Sequence, residues 1–542
     1  MRPLAPEQLP TRWPASLLPS ELPAGQIRLL TGLLNRVGAD GAVRDACRSR
    51  VLESALTLAL VIRHGQPHQG AGSRITRYLE RHRHTGNPLE AALADTALGR
   101  GNAPVRHEVL AGTAAQVPEF AGVRKRALLH AVFIILGADP AYDTSGPDAF
   151  AVDALHPWAA VQVTAVKAVL GRAAGKAPLG AGDLALLAST QRRGIVWEGN
   201  LFIHLLVLHA LADVPGMQAT VDEGLGTALM YQRDDGGMPF VTDTDTWSTV
   251  TAGLALHAAG APRRVLHRVG RHLQHVQHKD GGWSYTDRAQ LPDTDCTTVA
   301  LEFLHQLDPY AYRDPIRRGL DALLDVRGAD GGFPTYGAGT PSEACMTAAA
   351  VNALSTQSRL HHGIIQSALH FLAGSQLPDG SFPPGWSRSR LHTLFRAHLA
   401  ANHSFRTFPS PVRDMNERIL SLVLDAQRAD GGFGQQEGSQ SDAISTSYGL
   451  IILTGQGDPA PAARATHYLL AQLHHDSGGG ITSPPDMLGP RPFPYHVPVL
   501  ADAFILRALG HLSPRIRPCR ATVPRPPAQR LAPRRHRPSP AP

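Results

Sequence analysis

The chain has 542 residues, 43% of them apolar and 18% charged, with a formal charge of +7, a globular balance with room for more than one domain. Eight arginines and no acid lie beyond residue 512 (Arg515, Arg517, Arg520, Arg525, Arg530, Arg534, Arg535, Arg537), so the body is near −1 and is not built as a nucleic-acid binder. No apolar run is long enough to span a bilayer, and Cys47, Cys296, Cys345 and Cys519 form no CxxC pair, which argues against a disulfide framework or a structural zinc module and suits a reducing compartment.

Residues 1–34 read as a proline-rich segment, without the apolar core of a signal peptide, followed by a first helix. A cytoplasmic protein is expected. From 35 to 215, "GADGAVRDACRSRVLESALTLALVIRHG" and "QRRGIVWEGNLFIHLLVLHAL" each follow a Gly-containing turn with a helical run, which predicts a degenerate helical domain. From 216 to 512 the pattern sharpens. "YQRDDGGMPF" (231–240), "VQHKDGGWSY" (276–285), "VRGADGGFPT" (326–335), "SQLPDGSFPP" (375–384) and "AQRADGGFGQ" (426–435) recur, with a weaker copy, "AQLHHDSGGGIT", from 471. A period of roughly 45 to 51 residues marks a repeat architecture. Each turn is followed by a helix rich in small residues, such as "CTTVALEFLHQL", and then by a more polar one. The glycines let the chain reverse and the following ring packs over the turn. Each unit is thus a helical hairpin, and about six hairpins close into an α/α barrel. Strand signals are nearly absent, so the fold class is all-α, with two such domains. Residues 513–542 are dense in Pro and Arg and predict a disordered basic arm, suited to peripheral contact with an anionic lipid surface.

The segment "PDTDCTT" (292–298) places Asp293 and Asp295 before an apolar helix. Read in isolation, either aspartate N-caps that helix. "DTDTW" at 243–247 repeats the pattern, and Asp243 and Asp245 read as loop or cap residues. "RDDGGM" has no third aspartate at a metal-binding spacing, and "GRAAGKAP" falls short of a phosphate-binding loop.

The DGGW and DGGF turns resemble the QW motifs of the squalene–hopene and oxidosqualene cyclase superfamily, the class II terpene cyclases, and the length is closest to bacterial diterpene cyclases. Gly281-Gly282-Trp283 followed by Pro292-Asp293-Thr294-Asp295-Cys296-Thr297 is similar to that family's acidic segment. The resemblance is strong over residues 225 to 480 and weak over the first 200. It implies two α-barrel domains, β and γ, around an apolar cavity, with the acidic segment in the β domain. It also implies cyclisation of a polyprene by protonation, which requires a strong acid in a dry cavity. Asp295 matches the central aspartate and is expected to be the general acid. Asp293 is expected to hydrogen-bond it or to order the water that returns the proton. Cys296 stands where alkene-protonating members usually carry another aspartate, and its thiol can offer Asp295 only a weak hydrogen bond.

Further site residues follow from the same resemblance. Trp247, Trp283, Tyr336, Trp386 and Phe395 are the aromatic candidates for contact with substrate and cation, although Trp283 sits in a repeat turn where packing is the competing role. Cys345, one repeat on, either faces the same site or fills the core. Arg388, Arg390 and Arg396 are candidates for holding a diphosphate. The expected substrate is geranylgeranyl or farnesyl diphosphate, cyclised with the diphosphate retained. No cofactor is required for the chemistry, and the resemblance allows a Mg2+ ion beside the diphosphate. Two alternatives stay open: an epoxide-opening cyclase, from Asp295-Cys296-Thr297, and a non-catalytic helical-repeat scaffold. A prenyltransferase β-subunit is disfavoured because Asp295 and Cys296 are adjacent, whereas its zinc site needs Asp-x-Cys.

Overall fold

The computed structural model describes residues 12–516, apart from 65–67, 85–86, 101–108, 110–111, 114–121, 139–149, 154, 177–178, 405–409, 475–480 and 482. Residues 1–11, Cys519 and most of the basic tail lie outside the described residues, as does much of the weak turn copy near 476. Among the described residues, strand structure is limited to three two-residue ladders.

Six helices form a closed inner ring. In chain order they are α10 (Asp245–Ala258), α12 (Thr294–Leu307), α14 (Ala344–Ser355), α16 (Leu391–Ser404), α18 (Ala443–Leu453) and α20 (Val499–Leu512). Each packs on the next, and α20 returns to α10. The sequence explains their position. α14 and α18 are buried along almost their whole length, and a helix buried all round has no polar stripe. The outer helices α11 (Arg263–His275), α13 (Arg313–Asp325), α15 (His362–Ser375), α17 (Ser410–Ala426) and α19 (Ala460–His474) bury one face each. The sixth outer position is taken by α1 (Leu22–Asn35), which packs against α20, α19 and α10.

The repeat turns share one geometry. In the turn 276–285, Gly281 has φ +100° and a side chain there would collide with the carbonyl of Arg318; only glycine fits. Asp280 accepts the Gly282 amide (2.9 Å) and Gln277 donates to the Gly281 carbonyl (2.7 Å). The Trp283 amide then donates to Thr297 Oγ1 on the following inner helix (3.0 Å). Phe333 and Phe433 dock in the same way on Thr347 and Thr446.

At the domain junction two turns are exchanged. The remaining helices are α2 (Val51–His64), α3 (Gln69–His82), α4 (Pro88–Ala97), α5 (Gly122–Ile135), α6 (Pro157–Ala173), α7 (Ala181–Ser189), α8 (Leu201–Leu211) and α9 (Gln218–Leu229), with α2, α6 and α8 the most buried. The turn 231–240 docks on α2, where the Met238 amide donates to Ser54 Oγ (2.9 Å) and Met238–Pro239 pairs with Ser49–Arg50. Meanwhile α10 receives the turn at 38–43, through the Val43 amide and Thr249 Oγ1 (2.9 Å). The expected boundaries at 35 and 216 therefore shift. Residues 22–43 pack with the C-terminal barrel and residues 216–240 with the N-terminal helices, because each turn's docking hydroxyl sits on a helix distant in the chain.

Residues 513–516, expected to belong to the disordered arm, are ordered. Ser513–Arg515 forms a short 3-10 turn, and the Arg515 guanidinium lies 4.6 Å from the centroid of the Trp13 ring.

Candidate active site

A cavity of about 200 Å³ opens between the two helical domains, apolar with a few convergent polar groups, as small-molecule sites are. Its walls are largely aromatic: Trp158, Phe202, Phe240, Trp247, Tyr285, Tyr336, Trp386 and Tyr495, with Met346 and Met487. Asp293, Asp295 and Cys296 line one part of it. Lys125 on α5 and His156, which precedes α6, are contributed from the N-terminal domain.

The cap reading of the acidic segment falls to Asp293, whereas Asp295 faces the cavity. Asp293 is the N-cap of α12, with extended backbone, and its carboxylate accepts the Cys296 amide at 2.6 Å. It is buried, and burial pushes its carboxyl up to about 7, against the pull of that hydrogen bond. Asp295 lies in the first turn of the same helix and is only 9% exposed. Its Oδ1 is 2.6 Å from Arg396 Nη2, a buried ion pair. The contact is off the N–H axis, so Oδ1 has no directed hydrogen bond. For Arg396, burial opposes the charge, but Asp295 and its neighbours outweigh it and hold the guanidinium firmly protonated.

Burial first, and then the nearby Asp293 and Asp295 carboxylates, drive the Cys296 thiol well above its usual range, so it stays a thiol. Cys345 lies behind the wall. Its Sγ is 3.4 Å from His392 Nδ1 and 3.7 Å from Arg396 Nη1, so it touches Arg396 rather than the cavity, while the adjacent Met346 reaches it. On α12 below the acids, Glu302 faces Arg507 at 3.6 Å.

Trp247, Tyr336 and Trp386 line the cavity as expected from the sequence. Trp283 and Phe395 do not. Trp283 is fully buried and donates its indole N–H to the Leu273 carbonyl (2.7 Å), because the docked turn directs its ring into the gap between helices. Phe395 is stacked on Tyr448 in the barrel core, with ring centroids 4.8 Å apart. Asp243 pairs with Arg288 (3.0 Å) and Asp245 with Arg44 (3.0 Å), away from the cavity.

The three arginines expected to hold a diphosphate are not available there. Arg396 is committed to Asp295. Arg388 and Arg390 border separate surface grooves at the end of the barrel. The cation that does line the cavity is Lys125. Burial, then the nearby Arg491 charge, lower its ammonium to about 7, and it forms no ion pair among the described residues. Beside it His156 is lowered to about 4, chiefly by burial and then by Lys125; its ring lies tilted against that of Tyr336, with centroids 4.6 Å apart. Trp158 is edge-on to Tyr336 (5.3 Å) and donates to Glu198 (2.9 Å). The sequence offered no signal for Lys125, His156 or Trp158, since the N-terminal helices lack the full turn motif.

Comparison with known proteins follows the same lines. The prenyltransferase alpha-alpha toroid domain family matches residues 227–383 and 267–481. A drimenyl diphosphate synthase of Streptantibioticus cattleyicolor is 36% identical over 519 residues, covering 91% of this chain and 95% of the relative. A second drimenyl diphosphate synthase, from Streptomyces showdoensis, is 34% identical over 89% of this chain and 93% of its own length. The structure of ent-copalyl diphosphate synthase from Streptomyces platensis superposes with a TM-score of 0.62 at 20% identity, over 91% of this chain and all of that one, a likeness of fold.

Proposed function

Since the chain belongs to the class II terpene cyclases, acting on a polyprenyl diphosphate, we propose that its substrate is farnesyl diphosphate, protonated at the terminal alkene and cyclised with the diphosphate retained. The name of both relatives supports the farnesyl chain over the geranylgeranyl one, because a drimenyl skeleton is a bicyclised farnesyl chain.

The observation that carries the chemistry is the Asp295–Arg396 pair opening onto an aromatic cavity. Protonating an alkene demands a strong acid, meaning one whose conjugate base is stabilised in place. Arg396 supplies that stabilisation for the Asp295 carboxylate left after transfer. Asp293, whose carboxyl burial raises to about 7 so that it keeps its proton up to near neutral pH, is the reservoir that recharges Asp295. Asp295, facing Arg396, takes the role of donor and the buried Asp293 that of reserve. The proton goes to the terminal alkene carbon, internal double bonds close the rings, and the last cation loses a proton. Nothing is consumed, so the reaction is an isomerisation. The aromatic walls exclude water, which would quench the cation, and present their faces to it.

Lys125 anchors the diphosphate; the anion restores its ammonium charge in a place where burial disfavours it. No cluster of three His, Cys, Asp or Glu side chains occurs among the described residues; a Mg2+ ion held chiefly by the substrate's own phosphate oxygens and water would not need one. No step is routed through a metal.

Incubation with farnesyl diphosphate, geranylgeranyl diphosphate, squalene and oxidosqualene tests the reading. A cyclised product from farnesyl diphosphate that still carries the diphosphate supports it; turnover of squalene or oxidosqualene alone overturns it.

A further inference from the structure

We propose that the buried Glu343–Arg491 ion pair tunes how well Trp386 stabilises the carbocation, by cancelling a positive charge behind the cavity wall. The proposal rests on the cyclase reading above. Trp386 lines the cavity, whereas Arg491 and Glu343 do not. Yet the Arg491 guanidinium lies 4.1 Å from the centroid of the Trp386 ring, so it covers the face turned away from the substrate. Glu343 Oε2 is 2.6 Å from Arg491 Nη1, and both side chains are about nine-tenths buried.

The indole is also held at its edge. Its N–H donates to Thr335 Oγ1 at 2.7 Å, and the Thr335 hydroxyl donates to Glu343. The Thr335 carbonyl accepts the Thr294 amide at 2.8 Å, which ties the assembly to the segment bearing Asp293 and Asp295. The part of the wall formed by Trp386 is therefore built on this ion pair.

An indole stabilises a cation through the negative face of its ring. A guanidinium on the far face draws on the same ring electrons and repels a cation on the near face, and buried charges are weakly screened. Glu343 neutralises that guanidinium, so the ring is held in place without a net charge behind it.

The test compares Glu343→Gln with the double variant Glu343→Gln/Arg491→Met, using farnesyl diphosphate and following kcat, KM and product pattern beside thermal melts. Glu343→Gln leaves the positive charge uncancelled. It should lower kcat by about tenfold, since the lost interaction exists only in the cationic transition state, with KM unchanged and more product quenched at an early ring. The double variant should restore the wild-type pattern and return kcat to within about threefold. Arg491→Met alone replaces the uncancelled positive charge by the Glu343 carboxylate, at a stability cost that the melts read, and should not reproduce the early-quenched products of Glu343→Gln. A double variant as impaired as the single one overturns the proposal, because the pair would then be a mechanical support. A change in KM alone also overturns it, because Arg491 would then serve the diphosphate. In both cases a wild type that cyclises farnesyl diphosphate leaves the cyclase reading standing; a wild type that makes no cyclic product overturns both.

Discussion

Arg396 and Asp295 meet at 2.6 Å inside the barrel, with the guanidinium drawn from a helix two repeats beyond the acid. In the proposed reaction the pair stabilises the carboxylate that remains when the proton has left. Arg396→Met should lower kcat at least about 100-fold, the scale seen when one group aimed at developing charge is removed. It also leaves a buried carboxylate without its partner, at a cost of about 3–5 kcal/mol. Arg396→Lys keeps the charge and should recover part of both losses. Steady-state kinetics beside urea melts separate the two effects.

In the proposed reaction Asp293 sets the pH dependence. Its carboxyl is raised to about 7 by burial, so the folded protein holds this proton more tightly than the unfolded chain does. Its contribution to stability is therefore greatest at low pH and declines as pH rises from about 4 to about 7. The proton reservoir empties at the upper end of that window. A plot of kcat against pH should fall on the alkaline side of about 7, and Asp293→Asn should abolish that limb in whatever rate remains. An unchanged limb in Asp293→Asn would assign the titration to another group.

Lys125 should act in binding rather than in the chemical step. Lys125→Met should raise KM for farnesyl diphosphate by at least about tenfold and leave kcat within about threefold, the signature of an interaction made equally in ground and transition states. Lys125→Arg should keep most of the affinity. Farnesol, which lacks the diphosphate, should bind the parent and Lys125→Met alike in equilibrium titration.

Two tryptophans should respond in opposite ways. Trp283 fills the gap between helices, so Trp283→Ala should cost about 3–5 kcal/mol of stability and leave the product pattern unchanged at temperatures where the variant is folded. Trp247 lines the cavity, so Trp247→Leu should alter the product pattern with a smaller loss of stability. Thermal melts and product chromatography on the same two preparations distinguish them.

What the sequence carried about this site depended on how local each feature was. The hairpin repeat and the acidic segment could be read because each lies within one short stretch whose spacing is fixed by a turn and the first turn of a helix. Arg396 was seen as a cation but assigned to the diphosphate, since its partner is brought to it only by closure of the helical ring. The direction of the Trp283 ring likewise depends on the docking of its amide on Thr297. The exchanged turns at 38–43 and 231–240 have the same motif as the others, and nothing in the motif says which helix will receive them. Lys125, His156 and Trp158 come from helices without the full turn motif and stay invisible until the two domains face each other across the cavity.

Single-turnover conversion of farnesyl diphosphate by Asp295→Asn bears most directly on the proton donor. The expected result is loss of cyclised product by at least about 1000-fold, with circular dichroism and substrate binding like those of the parent. Cyclised product formed at the parental rate would contradict the assignment and move the donor to another group in the cavity.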